Sequence, residues 1–138
     1  MKRQSGTLAF TKRGGAIKLM LVTPNGGGSG WLIPKGNVMR GMGSGDSAQK
    51  EAFEEAGITG VRARRPSGFY TYTKKGCVHR VAVFVMKISK IEVCWDEQDL
   101  RSRKLFSLNA AQKLVKSRRL ARLIGRLPEL AGSVALRN

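Results

Sequence analysis

The 138-residue chain carries 26 Lys and Arg against 9 Asp and Glu, a formal net charge of +17, with 41% hydrophobic and 25% charged residues. These values fit a single domain over residues 1–138 with a core of its own, and they leave no run of about 18 apolar residues to span a bilayer. The charge predicts attraction to polyanions, whether nucleic acid, acidic lipid or phosphorylated small molecules, without choosing among them. Met1-Lys2-Arg3 leads into polar, Gly-punctuated sequence rather than an apolar leader, so the expectation is a cytoplasmic protein with no membrane partner.

In chain order, Thr7 to Thr11 and Ile17 to Thr23 are β-prone runs around the turn signal Lys12-Arg13-Gly14-Gly15, which predicts a hairpin. Asn25 to Gly30 reads as a flexible loop and a mobile edge of a site, after which Trp31-Leu32-Ile33-Pro34 returns to apolar sequence. Asp46-Ser47 are N-cap candidates for a helix near 47–56, with Gly57 at its C′ position. Strands are expected over Ile58 to Ala63, Gly68 to Thr73 and His79 to Ile88, the last apolar on both faces as a central strand would be. Asn109 to Lys116 and Arg118 to Leu127 read as helices, the second stopping at Pro128, with a frayed end beyond. Cys77 and Cys94 are too few for a disulfide framework. Cys77-Val78-His79, with His79 the single histidine, falls short of the four ligands of a structural zinc site.

Three of the nine carboxylates fall within five consecutive residues, Glu51, Glu54 and Glu55. On a helix they stand at i, i+3 and i+4, so they project from one face within about one turn. Their mutual repulsion is only about 0.2–0.5 kcal/mol per exposed pair, which solvent and Lys50 can absorb, so energy alone does not demand a metal. The context adds to the case: Lys35-Gly36 and a Gly-rich loop precede the helix, and hard oxygen ligands beside a loop carbonyl suit Mg²⁺ or Mn²⁺. A phosphate-binding loop does not fit the same residues. Gly36 and Gly41 have its spacing, but Met42-Gly43 follow where Lys-Ser or Lys-Thr is needed.

Gly36, Lys50-Glu51, Glu54-Glu55, Gly57 and Ile58 resemble the signature of the Nudix hydrolases, G-x5-E-x7-R-E-U-x-E-E-x-G-U, with U a bulky aliphatic residue. Met42 stands at the first Glu, Lys50 at the Arg and Ala52 at the first aliphatic position. The resemblance implies an α+β fold, an α/β/α sandwich whose mixed β-sheet is flanked by helices. It implies Mg²⁺, or Mn²⁺, held by Glu51, Glu55 and the backbone carbonyl of Lys35. Glu54 would be the general base or water-positioning group, and Glu51 and Glu54 could exchange roles. Over about Lys2 to Arg119 the chain looks most like the diphosphoinositol polyphosphate and diadenosine polyphosphate hydrolase branch. That likeness carries substrate contacts onto Lys2, Arg3, His79, Arg101 and Arg119, and the cluster of guanidiniums adds Arg103. Cys77-Val78 stand where that branch has a basic pair before the histidine, which weakens inositol pyrophosphate as substrate.

The activity expected first is Mg²⁺-dependent hydrolysis of a P–O–P bond in a small polyphosphate. Hydrolysis of an RNA 5′ end would use the same glutamates. A third reading, non-catalytic nucleic-acid binding, rests on the charge and on the basic stripe Lys113, Lys116, Arg118, Arg119, Arg122 and Arg126. Against it, aromatic residues amount to 7% and do not interleave with the stripe.

Overall fold

A computed structural model describes residues 1–135. The first strand, β1 (Lys2–Arg13), turns at Gly14-Gly15, both with positive φ, into β2 (Ala16–Val22). The short β3 (Lys35–Asn37) leads through the Gly-rich loop into α1 (Ser44–Ala56). Strands β4 (Ile58–Arg62), β5 (Gly68–Lys74) and β6 (Cys77–Ile91) follow, then β7 (Arg103–Ser107) and the helices α2 (Leu108–Leu114), α3 (Arg118–Gly125) and α4 (Leu127–Ala135).

The seven strands form one mixed sheet ordered β4-β6-β1-β2-β7, with β3 also paired to β1 and β5 to β6. Only β1 and β6 run parallel, in register from Lys2 opposite His79 to Phe10 opposite Lys87. Both central strands change neighbours along their length. β1 pairs β3 over Gln4–Gly6 and β2 over Phe10–Arg13, while β6 pairs β5 near its start and β4 near its end. The long β1, which its apolar segment alone did not announce, follows from this sharing: its polar first residues are strand because His79–Val83 and residues 35–37 hold them from both sides.

Alternation of the central strands feeds two cores. On one face Leu8, Phe10, Leu19, Leu21, Val81, Val83 and Val85 meet Leu120, Leu123, Ile124 and Leu127 of α3 and α4; a fully buried Ile124 is worth about 1.5–3 kcal/mol. On the other, Ala9, Met20, Val22 and Met86 meet Ala52 and Ala56, and Ala48 meets Ala82 and Phe84. The buried face of α1 is built of Gly45, Ser47, Ala48, Ala52 and Ala56, so the helix lies close on the sheet. Ala52, where a bulkier residue was the expectation, fits that closeness.

Two helix boundaries differ from the reading of the sequence. α1 begins at Ser44 with Gly43 as N-cap and no side-chain cap. Asp46 instead bonds Arg62 at 2.9 Å, and Ser47 Oγ accepts from the N–H of Met39 at 3.1 Å, tying the Gly-rich loop to the helix. Pro128 does not end α3, which stops at Gly125, but sits in the first turn of α4, where a missing N–H costs nothing. The expected frayed end is helix to Ala135; the rest of that expectation falls on 136–138, outside the described residues.

Candidate active site

Glu51, Glu54 and Glu55 lie in the C-terminal half of α1, beside β3. A Cβ on Gly36 would sit 2.3 Å from the Glu51 carboxyl carbon and from its Oε1, so only glycine leaves that carboxylate its place against the strand. Glu55 Oε1 accepts the N–H of Lys35 at 3.2 Å, and Glu55 Oε2 accepts Arg101 Nη2 at 3.2 Å. Arg101 also donates through Nε to Glu97 at 2.8 Å and through Nη1 to the Thr23 carbonyl at 2.9 Å. Lys50 Nζ donates to both oxygens of Glu54, at 2.9 and 2.7 Å, and stands 3.9 Å from Glu51. Side-chain exposure separates the three: 27% for Glu54 against 14% for Glu51 and 7% for Glu55.

Burial is the largest influence on two of these groups. It pushes the Glu55 carboxyl up to about 7, with Arg101 and the Lys35 N–H pulling it down and Glu51 and Glu97 adding to the rise. Burial likewise raises Glu51, helped by Glu54 and opposed by Lys50. Lys50 is raised above the usual lysine value, chiefly by its hydrogen bond to Glu54. Among the described residues no three acidic, His or Cys side chains converge as a cage for a metal ion. Lys50 pairs with Glu54 and Arg101 with Glu55. The donor set still suits a divalent cation, since it is all oxygen and two of its carboxylates are costly to ionise without a nearby positive charge.

The C-terminus of α1 is held from outside the helix. Gly57 takes a left-handed φ of 64° and returns N–H bonds to Ala52 and Phe53. Trp95 Nε1 donates to the Glu55 carbonyl at 2.9 Å, and Arg103 Nη1 to the Ala56 carbonyl at 2.8 Å. These satisfy carbonyls that a helix end leaves without partners. The Arg103 guanidinium lies 3.8 Å from the Trp95 ring centroid and also bonds the Glu92 carbonyl.

Two clefts share walls beside β3, and Glu55 lines the smaller of them. The smaller, about 150 Å³, is lined by Pro24, Asn25, Leu32, Ile33, Lys35, Glu55, Lys74 and Arg101. The next, about 310 Å³, shares Leu32, Ile33, Lys35 and Lys74 and adds Trp31, Tyr70, Tyr72 and Lys116 among its walls. Tyr72 anchors the boundary: its hydroxyl donates to Gln4 Oε1 at 2.6 Å and accepts from Lys35 Nζ at 3.0 Å, and its ring stacks on His79 at 4.7 Å.

Of the residues singled out from the sequence, the fold brings Lys35, Glu51, Glu54, Glu55 and Arg101 together. His79 lies nearby but is 7% exposed, stacked under Tyr72, with Nδ1 beside the Cys77 carbonyl. Lys2 and Arg3 point to opposite faces of β1. Arg3, with Arg80, lines a separate cavity of about 190 Å³ beyond the start of α1. Arg103 is engaged at the end of α1, and Arg119 lies on the exposed side of α3, outside both clefts. Cys77 and Cys94 are both free thiols. Sequence reading missed Glu97, Tyr72 and Lys74. Only Glu97 carried a signal, its placement four residues before Arg101.

No family model matches the chain. It is 31% identical over 106 residues to Nudix hydrolase 21, chloroplastic, of Arabidopsis thaliana, a match covering 75% of this chain and 53% of that one. The chain belongs to the Nudix family. Nudix hydrolase 4 of Arabidopsis thaliana is 29% identical over 103 residues, 73% of this chain and 49% of that one; the chain thus spans about half the length of the curated relatives it matches. Among solved structures, a C. elegans Ap4A hydrolase in a binary complex superposes with a TM-score of 0.80 at 23% identity, covering 96% of this chain and 99% of that one. A NUDIX hydrolase from Nitrosomonas europaea gives 0.68 at 17% identity, covering 96% and 90%. These likenesses establish the Nudix fold, a mixed sheet flanked by helices.

Proposed function

We propose that the chain is a Mg²⁺-dependent pyrophosphohydrolase that cleaves a P–O–P bond in a nucleoside polyphosphate. The observation that carries this reading is the pair of desolvated carboxylates, Glu51 against Gly36 and Glu55 against Lys35, the second of them lining a cleft with Lys35 and Lys74. Glu51, Glu55 and the Lys35 carbonyl are the ligands in this reading, with Mn²⁺ as a substitute ion. The cation, when bound, neutralises phosphate charge and makes its water easier to deprotonate.

Glu54, the most exposed of the three, accepts the water proton once Lys50 turns from it toward phosphate. Arg101 keeps Glu55 facing β3 through one of its three bonds, to Glu55, Glu97 and Thr23, and it still lines the cleft, where its remaining N–H donors can meet a phosphate as first expected. Arg103 likewise holds the end of α1, and His79 acts through Tyr72, keeping its hydroxyl on Lys35. Lys35 and Lys74 meet the phosphates, while Trp31 and Tyr72 offer aromatic walls to a base. Support for a nucleotide comes from this cleft and from a fold neighbour named as an Ap4A hydrolase.

The test is product release from a panel of diadenosine polyphosphates, nucleoside triphosphates, nucleotide sugars, inositol pyrophosphate and 5′-triphosphate RNA, with Mg²⁺ and with chelator. Chelator-sensitive turnover of a nucleoside polyphosphate is the expected result. Turnover confined to inositol pyrophosphate would reject the nucleotide assignment, and none on any compound would reject the enzyme.

A further inference from the structure

The outer face of α2 and α3 is left unused by the catalytic reading. Between Asp99 and Glu129 the sequence holds nine Lys or Arg and no Asp or Glu, whereas seven of the nine acids fall within 51–55 and 92–99. Lys113, Lys116, Arg118, Arg119 and Arg122 are all exposed, and none has a carboxylate partner among the described residues. α3 turns Leu120, Leu123 and Ile124 into the core, so Arg118 and Arg122 stand one turn apart on its outer side and repel each other. Concentrated positive charge without internal neutralisation is complementary to a polyanion. The apolar side chains of α3 are already buried and Leu114 of α2 is a single exposed large apolar side chain, which leaves this face little to insert into a bilayer and favours a phosphate backbone over a lipid surface. Lys116 also walls the cleft beside Trp31 and Tyr72, so the face runs into the site.

We propose that the α2–α3 face docks the phosphate backbone of a single-stranded RNA whose 5′ end enters the cleft. RNA rather than DNA follows from the chemistry of the adjoining site. Among polynucleotides, a primary RNA transcript begins with a phosphoanhydride, and this choice rests on the pyrophosphohydrolase reading. The docking itself does not, because backbone contacts from Lys and Arg need no turnover.

The experiment is fluorescence anisotropy with a 3′-labelled, 5′-triphosphorylated single-stranded RNA of mixed sequence, titrated at several KCl concentrations in chelator. Lys113→Gln, Arg118→Gln and Arg122→Gln are combined in one chain, sparing Lys116 and Arg119. The combined variant is expected to bind on the order of tenfold more weakly, with a salt slope shallower by about 2, at roughly 0.7 per lost phosphate contact. The charge-conserving chain Lys113→Arg, Arg118→Lys, Arg122→Lys should bind as the wild type does. An unchanged affinity and slope in the Gln chain overturns the docking face. Equal or tighter binding of the same RNA with a 5′ hydroxyl overturns the entry of the 5′ end into the cleft, and with it the choice of RNA. Wild-type binding to phosphatidylserine vesicles but not to RNA overturns both. Normal RNA docking with no hydrolysis of any small polyphosphate or of the RNA 5′ triphosphate would reject the catalytic reading and leave the docking face standing.

Discussion

A Cβ at position 36 would collide with the Glu51 carboxyl, so Gly36→Ala should displace that carboxylate while leaving the remote core intact. The expected result is a fall in turnover on the order of a hundredfold with an unchanged circular dichroism spectrum; wild-type turnover would mean that Glu51 works elsewhere. Glu55 gives a second test in the metal-free protein. Its folded value, about 7, lies above the ordinary 4.5 because burial disfavours the anion. The folded state therefore holds a proton that the unfolded chain releases, and this contribution to stability is full below about pH 4.5 and lost as pH rises through about 7. Urea unfolding of wild type and Glu55→Gln should diverge over that window, the variant keeping its stability, by on the order of 3 kcal/mol if the whole linkage is realised. Parallel pH profiles would contradict the burial argument. The three glutamates were legible because helical spacing is local. Glu97, Tyr72 and Lys74 were not, since the antiparallel pairing of β5 with β6 and the parallel pairing of β6 with β1 bring Tyr72 and Lys74 to the clefts, and the turn of 92–101 around α1 brings Glu97 to Arg101.

At the scale of elements, α1 is positioned at both ends by chain outside it. Gly57 combines a left-handed φ with a contact so close that a Cβ would lie 2.6 Å from Trp95 Cβ. Gly57→Ala should therefore cost at least about 1–2 kcal/mol for the backbone alone, read as a lower urea midpoint, and should weaken activity because Glu54 and Glu55 precede it by one turn. Beneath the same helix, the Ser5 and Thr7 hydroxyls are buried with no hydrogen-bond partner among the described residues. Thr7→Val keeps the shape and removes the unpaired group, so a gain of about 1 kcal/mol is expected; a loss would mean that the hydroxyl is satisfied in solution. The C-terminal glycine of α1 could be read from the sequence because left-handed closure is a property of one residue. The N-terminus could not, because Asp46 and Ser47, good caps in isolation, are taken up by Arg62 and Met39. Pro128 misled for a similar reason: its ring tolerates both an end and a first turn, and only the core contacts of Leu127 and Val134 decide between them.

Across the whole molecule, charge is sorted by function. Acids gather where α1 meets the 92–99 segment, and unneutralised bases line the cleft and the outer side of α2 and α3. The mixed sheet was legible in outline, since the hairpin and the doubly apolar His79–Ile88 run declare themselves through alternation. The sharing of β1 and β6 between two sets of neighbours was not, because it rests on register rather than on local pattern. The claim that these sorted charges hydrolyse a phosphoanhydride with a divalent cation is tested most directly by comparing wild type with Glu54→Gln for hydrolysis of diadenosine tetraphosphate, with Mg²⁺ and with chelator. Chelator is expected to abolish wild-type turnover, and Glu54→Gln to lower it by about 10²–10⁴ with the fold unchanged. Turnover that survives chelator, or a Glu54→Gln chain as fast as wild type, would contradict that claim.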